Sequence, residues 1–195
     1  MTGLDVRLPI GTERLLLRPH RPDDFDDLAR FHGDPEVVRH VPWPVRDRAA
    51  TEEALTVKLG QTELLEHGQW LVLAVELRAT ATVIGEVLLK WAGDRQGELG
   101  FAFARDHHGQ GYAAEASAAL LRLGFDDLGF HRITAVVIDG NSASARLLER
   151  LGFRQEARHV DAVHFKGAWT TQLVFALLAA EWRGTTLPGP PLGRP

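Results

Sequence analysis

The residue pattern with the clearest chemistry is Arg105-Asp-His-His-Gly-Gln-Gly-Tyr-Ala-Ala-Glu-Ala116. Gly109 and Gly111 stand there between an apolar, strand-like run, Glu98-Leu-Gly-Phe-Ala-Phe103, and an Ala/Leu-rich helix expected from about Ala113 to Asp126. Glycines at a strand-to-helix turn let backbone N–H groups crowd around an anion with no Cβ in the way. The helix that follows adds its free first-turn amides and the positive end of its dipole. Together these form a cradle for a phosphate-bearing ligand, although a tight turn with no ligand uses the same residues. The Gly-Lys-Ser/Thr ending of a P-loop is missing, which argues against a nucleotide triphosphate site. A second candidate is Glu86, which strand alternation over Thr82–Leu89 places on the face of Ile84 and Leu88. An acid among apolar neighbours is expected to have a raised pKa and to accept a proton near neutral pH. The alternative is a strand-edge glutamate paired with a basic residue.

The elements that must position these residues follow from hydrophobic period and breakers. Leu15 to Arg18 reads as a strand, and Asp23 or Asp24 as the cap of a helix holding Phe25, Leu28 and Phe31. Prolines break the stretch Asp34 to Pro44 into loop or short helical turns. A helix is expected over Arg48 to Glu66, stopping near Gly68. Strands follow at Trp70–Glu76, Thr82–Leu89, Glu98–Phe103, His131–Ile138, Phe153–Val160 and Thr171–Leu178. Between them Asn141 reads as an N-cap, and a helix carrying Leu147, Leu148 and Leu151 ends at Gly152. The fold class is α/β (α+β), a mixed sheet flanked by helices.

At 195 residues and 45% hydrophobic composition the chain can bury one core, read as a single domain over 1–184. The Pro- and Gly-rich run 185–195 is expected to be disordered. A net charge of −4 offers no broad cationic surface for nucleic acid. The run Asp23-Asp24-Asp26-Asp27 is expected to be a solvated helix face. With no cysteine, disulfides, thiolate metal sites and a cysteine nucleophile are excluded. His107-His108 is an adjacent pair without the spacing of a helical metal site, so no metal is expected. No leader and no membrane-spanning run is read, and the expected location is cytoplasmic.

His108-Gly109-Gln110-Gly111-Tyr112-Ala113 resembles the acetyl-CoA-binding motif of the GNAT acyltransferases, Gln/Arg-x-x-Gly-x-Gly/Ala, with His108 at the Gln/Arg position. Downstream, Asp139-Gly-Asn141-Ser-Ala-Ser144 and the closing Leu151-Gly152-Phe153 look like the second signature of that superfamily. The runs Thr12-Glu-Arg-Leu-Leu-Leu-Arg-Pro19, Pro22-Asp-Asp-Phe25, Asp34-Pro-Glu-Val-Val38, Val83-Ile-Gly85 and Glu98-Leu-Gly-Phe101 are similar to the RimJ/RimL-like branch. The resemblance spans about Thr12 to Trp182.

That resemblance implies a GNAT fold whose two central strands splay apart around the pantetheine arm of acetyl-CoA. The strand edge at Phe101, Phe103 and Arg105 would bind the arm, and residues His108 to Ala113 the pyrophosphate. Asn141 and Ser144 would also contact the cofactor. The implied reaction is direct transfer of the acetyl group to a primary amine, either a protein N-terminus or a small molecule. An amine is nucleophilic only when neutral, so a base must take its proton. Glu86, Glu98 (which resembles a glutamate common in the branch) and a water chain are all open for that role. Many relatives use a tyrosine as acid where this chain has Leu148, and Ser144 is the replacement the branch suggests. Relatives often carry an Asp where Thr171 stands. Trp43 and Trp169 are read either as lining the acceptor end or as ordinary packing. The alternative function is an acyl-CoA-binding sensor or partner module that has lost catalysis. A homodimer is common among relatives.

Overall fold

Hydrophobic alternation and turn chemistry place nearly every element where the sequence suggests. The computed structural model describes residues 3–184, so the run 185–195 lies outside the described residues. The strands are β1 (Ile10–Gly11), β2 (Leu15–Pro19), β3 (Trp70–Leu77), β4 (Thr82–Gly93), β5 (Gln96–Phe103), β6 (Arg132–Ile138), β7 (Arg154–Phe165) and β8 (Ala168–Leu178). The helices are α1 (Phe25–His32), α2 (Pro35–Val38), α3 (Arg48–Leu59), α4 (Tyr112–Arg122), α5 (Ser142–Arg150) and α6 (Ala179–Gly184). All eight strands join one sheet in the order β1-β2-β3-β4-β5-β6-β8-β7.

Every neighbouring pair is antiparallel except β5 and β6, which run parallel. That pairing holds only at Gln96↔Arg132, Gly97↔Ile133 and Glu98↔Thr134. From Leu99 onward β5 keeps β4 on one side and, among the described residues, has no strand on the other. The sheet therefore forks immediately after Glu98. The fork is held in shape from both faces. The main core packs β2–β6 against α4, with Leu73, Val87, Leu120, Phe130, Ile133 and Leu148 buried in it. A smaller core of Leu28, Phe31, Leu55, Ala102 and Ala104 lies between the opposite face and α1 and α3. Truncating a large side chain such as Leu120 or Phe130 in such a core costs about 2–5 kcal/mol.

Three expectations are corrected. The helix expected to run to Glu66 ends at Leu59, because Gly60 caps it and its amide returns to the Val57 carbonyl. The freed segment then carries Leu64 into the core, where it pairs with Leu4. The helix expected to reach Asp126 is α-helical only to Arg122 and finishes as a π-helical turn over Leu123–Asp127. The acidic run is not one solvated face. Asp24 is 4% exposed and takes both Arg18 Nη1 and Nη2, at 2.8 and 2.7 Å, and the Asp27 carboxylate accepts the Val83 amide at 2.8 Å.

Candidate active site

A cleft of about 870 Å³ opens at the fork, walled on one side by Phe101, Ala102 and Phe103 of β5. The opposite wall comes from the turn before α4 (His108, Gly109, Gly111), the α4 residues Tyr112 and Ala113, and Asn141 and Ser144 at the start of α5. The expected strand edge and the expected phosphate turn thus meet in one concavity, joined by the start of α5.

The turn has the backbone a cradle needs. Gly109 and Gly111 sit at φ +74° and +83°, the left-handed region that glycine alone enters without strain. Gly111 is the N-cap of α4 and supplies no side-chain acceptor, so the first-turn amides stay available to an anion. Side chains fasten the turn around these amides. His108 Nε2 donates to the Phe103 carbonyl at 2.9 Å, tying the cradle to the strand edge. Gln110 Nε2 donates to the Asp106 carbonyl at 3.0 Å. From the far end of the sheet, Arg14 Nε reaches Glu115 Oε2 at 2.7 Å and Arg14 Nη1 reaches the Gln110 carbonyl at 2.9 Å. Thr12 Oγ1 donates to Glu115 Oε1 at 2.6 Å, and the Arg14 amide to the same oxygen at 2.9 Å. Burial would raise the Glu115 pKa, but these donors outweigh it and hold the carboxyl below its ordinary value.

Other expected site residues fall as follows. Phe101, Phe103, His108, Gly109, Gly111, Tyr112, Ala113, Asn141 and Ser144 line the cleft. Arg105 does not: β5 ends at Phe103, Arg105 opens a short 3-10 turn, and its Nε lies 3.7 Å from Asp34 Oδ2. The Gln110 side chain also turns away, towards the Asp106 carbonyl. Asn141 caps α5, its Oδ1 accepting the Ser144 amide at 3.1 Å, which aims the Ser144 side chain from the first turn. Among the described residues the Ser144 hydroxyl has no hydrogen-bond partner. Leu148, at the position of the family tyrosine, is 0% exposed and belongs to the core. Glu98 occupies the last paired position before the fork, half-buried, with its carboxylate 3.9 Å from Lys90 Nζ. Trp169 is 66% exposed and stacks edge-on against His164 at the β7–β8 turn, away from the cleft.

Glu86 behaves differently from its sequence reading. A register shift opposite Val75 and Glu76 inserts an extra residue into β4, so Ile84 joins the main core while Glu86 faces α1 and α3. There Glu86 is 0% exposed, with Lys58 Nζ at 2.8 Å, His32 Nε2 at 3.4 Å and His20 Nε2 at 3.5 Å. The Lys58 contact is an ion pair short of a directed hydrogen bond, since neither Glu86 oxygen has such a bond. Burial would raise the Glu86 pKa, but Lys58 and the two imidazoles outweigh it and hold the carboxyl well below the carboxylate range. The raised pKa read from alternation is therefore corrected. Arg46 Nη1, which can only donate, stands 2.7 Å from His32 Nδ1, so the proton of neutral His32 sits on Nε2, facing Glu86. Burial lowers the His32 pKa further than Glu86 restores it. Burial also acts to lower that of His20, but Asp24 at 3.6 Å and Glu86 outweigh it and raise it.

With this geometry in place, the chain can be set beside known proteins. The family model described as an acetyltransferase (GNAT) domain matches residues 14–154. The chain belongs to the GNAT acetyltransferase family. It is 31% identical over 176 residues to the uncharacterised N-acetyltransferase p20 of Bacillus licheniformis, covering 89% of this chain and 97% of that protein. The GNAT acetyltransferase of Bacillus anthracis has a similar structure, with TM-score 0.81 at 26% identity, covering 89% of this chain and 100% of that one. So does Mycobacterium smegmatis RimJ, solved with CoA-disulfide: TM-score 0.74 at 26% identity over 90% of this chain and 86% of that one. The chain is thus an N-acetyltransferase, and RimJ is among the proteins of similar structure. No helix among the described residues is long and apolar enough to cross a membrane.

The cradle-fastening residues Thr12, Arg14 and Glu115 were missed as site residues. Arg14 and Glu115 lie 101 positions apart, and nothing local in either segment signals that they meet.

Proposed function

We propose that this GNAT enzyme transfers the acetyl group of acetyl-CoA directly to a primary amine, either a protein N-terminus or a small-molecule amine. The observation that carries the reading is the meeting of the glycine cradle and the unpaired β5 edge in one cleft. Amides at the start of α4 suit a pyrophosphate. An unpaired strand edge suits the amides of a pantetheine arm, which would add to the sheet as an extra strand does. The CoA-disulfide held by the RimJ of similar structure supports the same ligand here.

In this reading the amine nitrogen attacks the thioester carbonyl carbon, the C–S bond breaks, and the sulfur leaves as thiolate. Glu98, at the fork but outside the cleft lining, accepts the amine's proton through a water. Ser144 donates to the thiolate or orients the water that does. Glu86 is left out as base, because a buried carboxylate held ionised by Lys58 is a poor proton acceptor near neutral pH. CoA thiol release is the test, measured with N-terminal peptides, polyamines, aminoglycosides and free amino acids as acceptors. Release that depends on one acceptor class supports the reading and names the substrate. CoA binding with no release for any amine contradicts it.

A further inference from the structure

Arg14 does more than its neighbours in the sequence suggest. Its guanidinium has three edges, and two are committed: Nε to Glu115 at 2.7 Å and Nη1 to the Gln110 carbonyl at 2.9 Å. Its Cζ lies 4.5 Å from the centre of the Tyr112 ring, so the charge sits over the first residue of α4. Nη2 has no acceptor among the described residues. It stands 3.3 Å from the point a Cβ on Gly111 would occupy. The side chain is 31% exposed and lines the cleft. A fixed cation with one donor edge free, beside the start of a helix with uncapped amides, has the chemistry of a phosphate ligand.

We infer that Arg14 binds the cofactor's pyrophosphate, completing the cradle from the opposite end of the sheet. The site then has two parts: amides from the turn before α4, and a charge delivered by the segment ahead of β2. Glu115 is the positioning residue that fixes the guanidinium. The Gln110 carbonyl couples the charge to the loop, so the same contact that holds Arg14 also holds the cradle's backbone. This inference rests on the acetyl-CoA reading of the cleft.

The experiment measures calorimetric affinity for CoA, 3′-dephospho-CoA and pantetheine, the last of which lacks every phosphate, on the wild type, Arg14→Gln and Glu115→Gln. Steady-state kinetics with acetyl-CoA run alongside. Loss of one charge-assisted contact corresponds to about ten- to a hundredfold in affinity. Arg14→Gln is expected to weaken CoA and 3′-dephospho-CoA by that factor and to leave pantetheine within about twofold. In kinetics KM for acetyl-CoA should rise with kcat unchanged. Glu115→Gln, which keeps the charge and loosens its brace, should give a smaller change of the same kind. Equal losses for all three ligands would make Arg14 only a brace and overturn the inference. A loss confined to CoA would move the contact to the 3′-phosphate and overturn it as well. If Arg14→Gln does not fold, Arg14→Lys, which keeps the charge but cannot span the same acceptors, must show the same phosphate-selective loss on a smaller scale. A wild type that binds none of the three ligands would remove the acetyl-CoA reading itself.

Discussion

Two charged clusters flank the forked sheet, and they are built on opposite rules. Beside α4, Arg14 and Glu115 are partly exposed, and one edge of the guanidinium has no partner among the described residues. Beneath α1 and α3, Glu86, His20, His32 and Lys58 are buried, and they face one another and, at the rim, Asp24 and Arg46. Removing charges from water is costly, and a buried set is tolerated only when internally matched. A charge that must meet a ligand has the reverse requirement and keeps an unsatisfied direction towards solvent. The difference teaches that extreme burial of an acid near a cleft marks a structural centre here, whereas an incomplete hydrogen-bond set at a cleft mouth marks a functional one.

The comparison breaks most readily at Lys58. Lys58→Met leaves Glu86 buried without its closest cation and should cost about 3–5 kcal/mol in urea unfolding. Adding Glu86→Leu to that variant should recover most of the loss. A cost below about 1 kcal/mol would mean that the buried cluster is hydrated and not matched as described. On the catalytic side, Glu98→Gln should lower kcat about a hundredfold with stability and the KM for acetyl-CoA little changed. Full turnover in that variant would assign the proton to a water chain. Gly111→Ala forces a Cβ onto a residue at φ +83°. A penalty of about 1–2 kcal/mol is expected in thermal unfolding, together with a rise in the KM for acetyl-CoA.

The smallest effect is the pH profile of stability. Asp24 and Glu86 have folded pKa values below their ordinary 3.8 and 4.5, so their contribution is present above those values and is lost as pH falls below them. His32 is lowered from 6.5 and contributes above that pH; His20 is raised and contributes below it. The two histidines oppose each other around neutrality, so their slopes partly cancel there, and Tm should fall as pH drops below about 4.5. A steep slope at neutral pH would show that one imidazole is not placed as described.

What was legible in the sequence follows from range. Gly109 and Gly111 announce their turn locally, and Asn141 with Ser144 announces a cap, because caps and left-handed positions are decided by adjacent residues. The strands were readable for the same reason, through alternation. Alternation failed at Ile84, which one extra residue in β4 moves to the main core, while Glu86, an expected catalytic base, is a buried ion-pair partner. Arg105 was misread because β5 ends two residues earlier, and strand ends depend on the partner strand. The Arg14–Glu115 brace was illegible, since it joins segments 101 positions apart through a contact no local pattern encodes.

One cleft is proposed to hold acetyl-CoA between the β5 edge and the start of α4. A crystal structure with CoA bound tests it most directly. Pyrophosphate oxygens are expected within hydrogen-bond distance of the amides from Gly109 to Ala113, with the pantetheine arm along Phe101 to Phe103. CoA seated elsewhere, or a cradle left empty with CoA bound at another face, would contradict it.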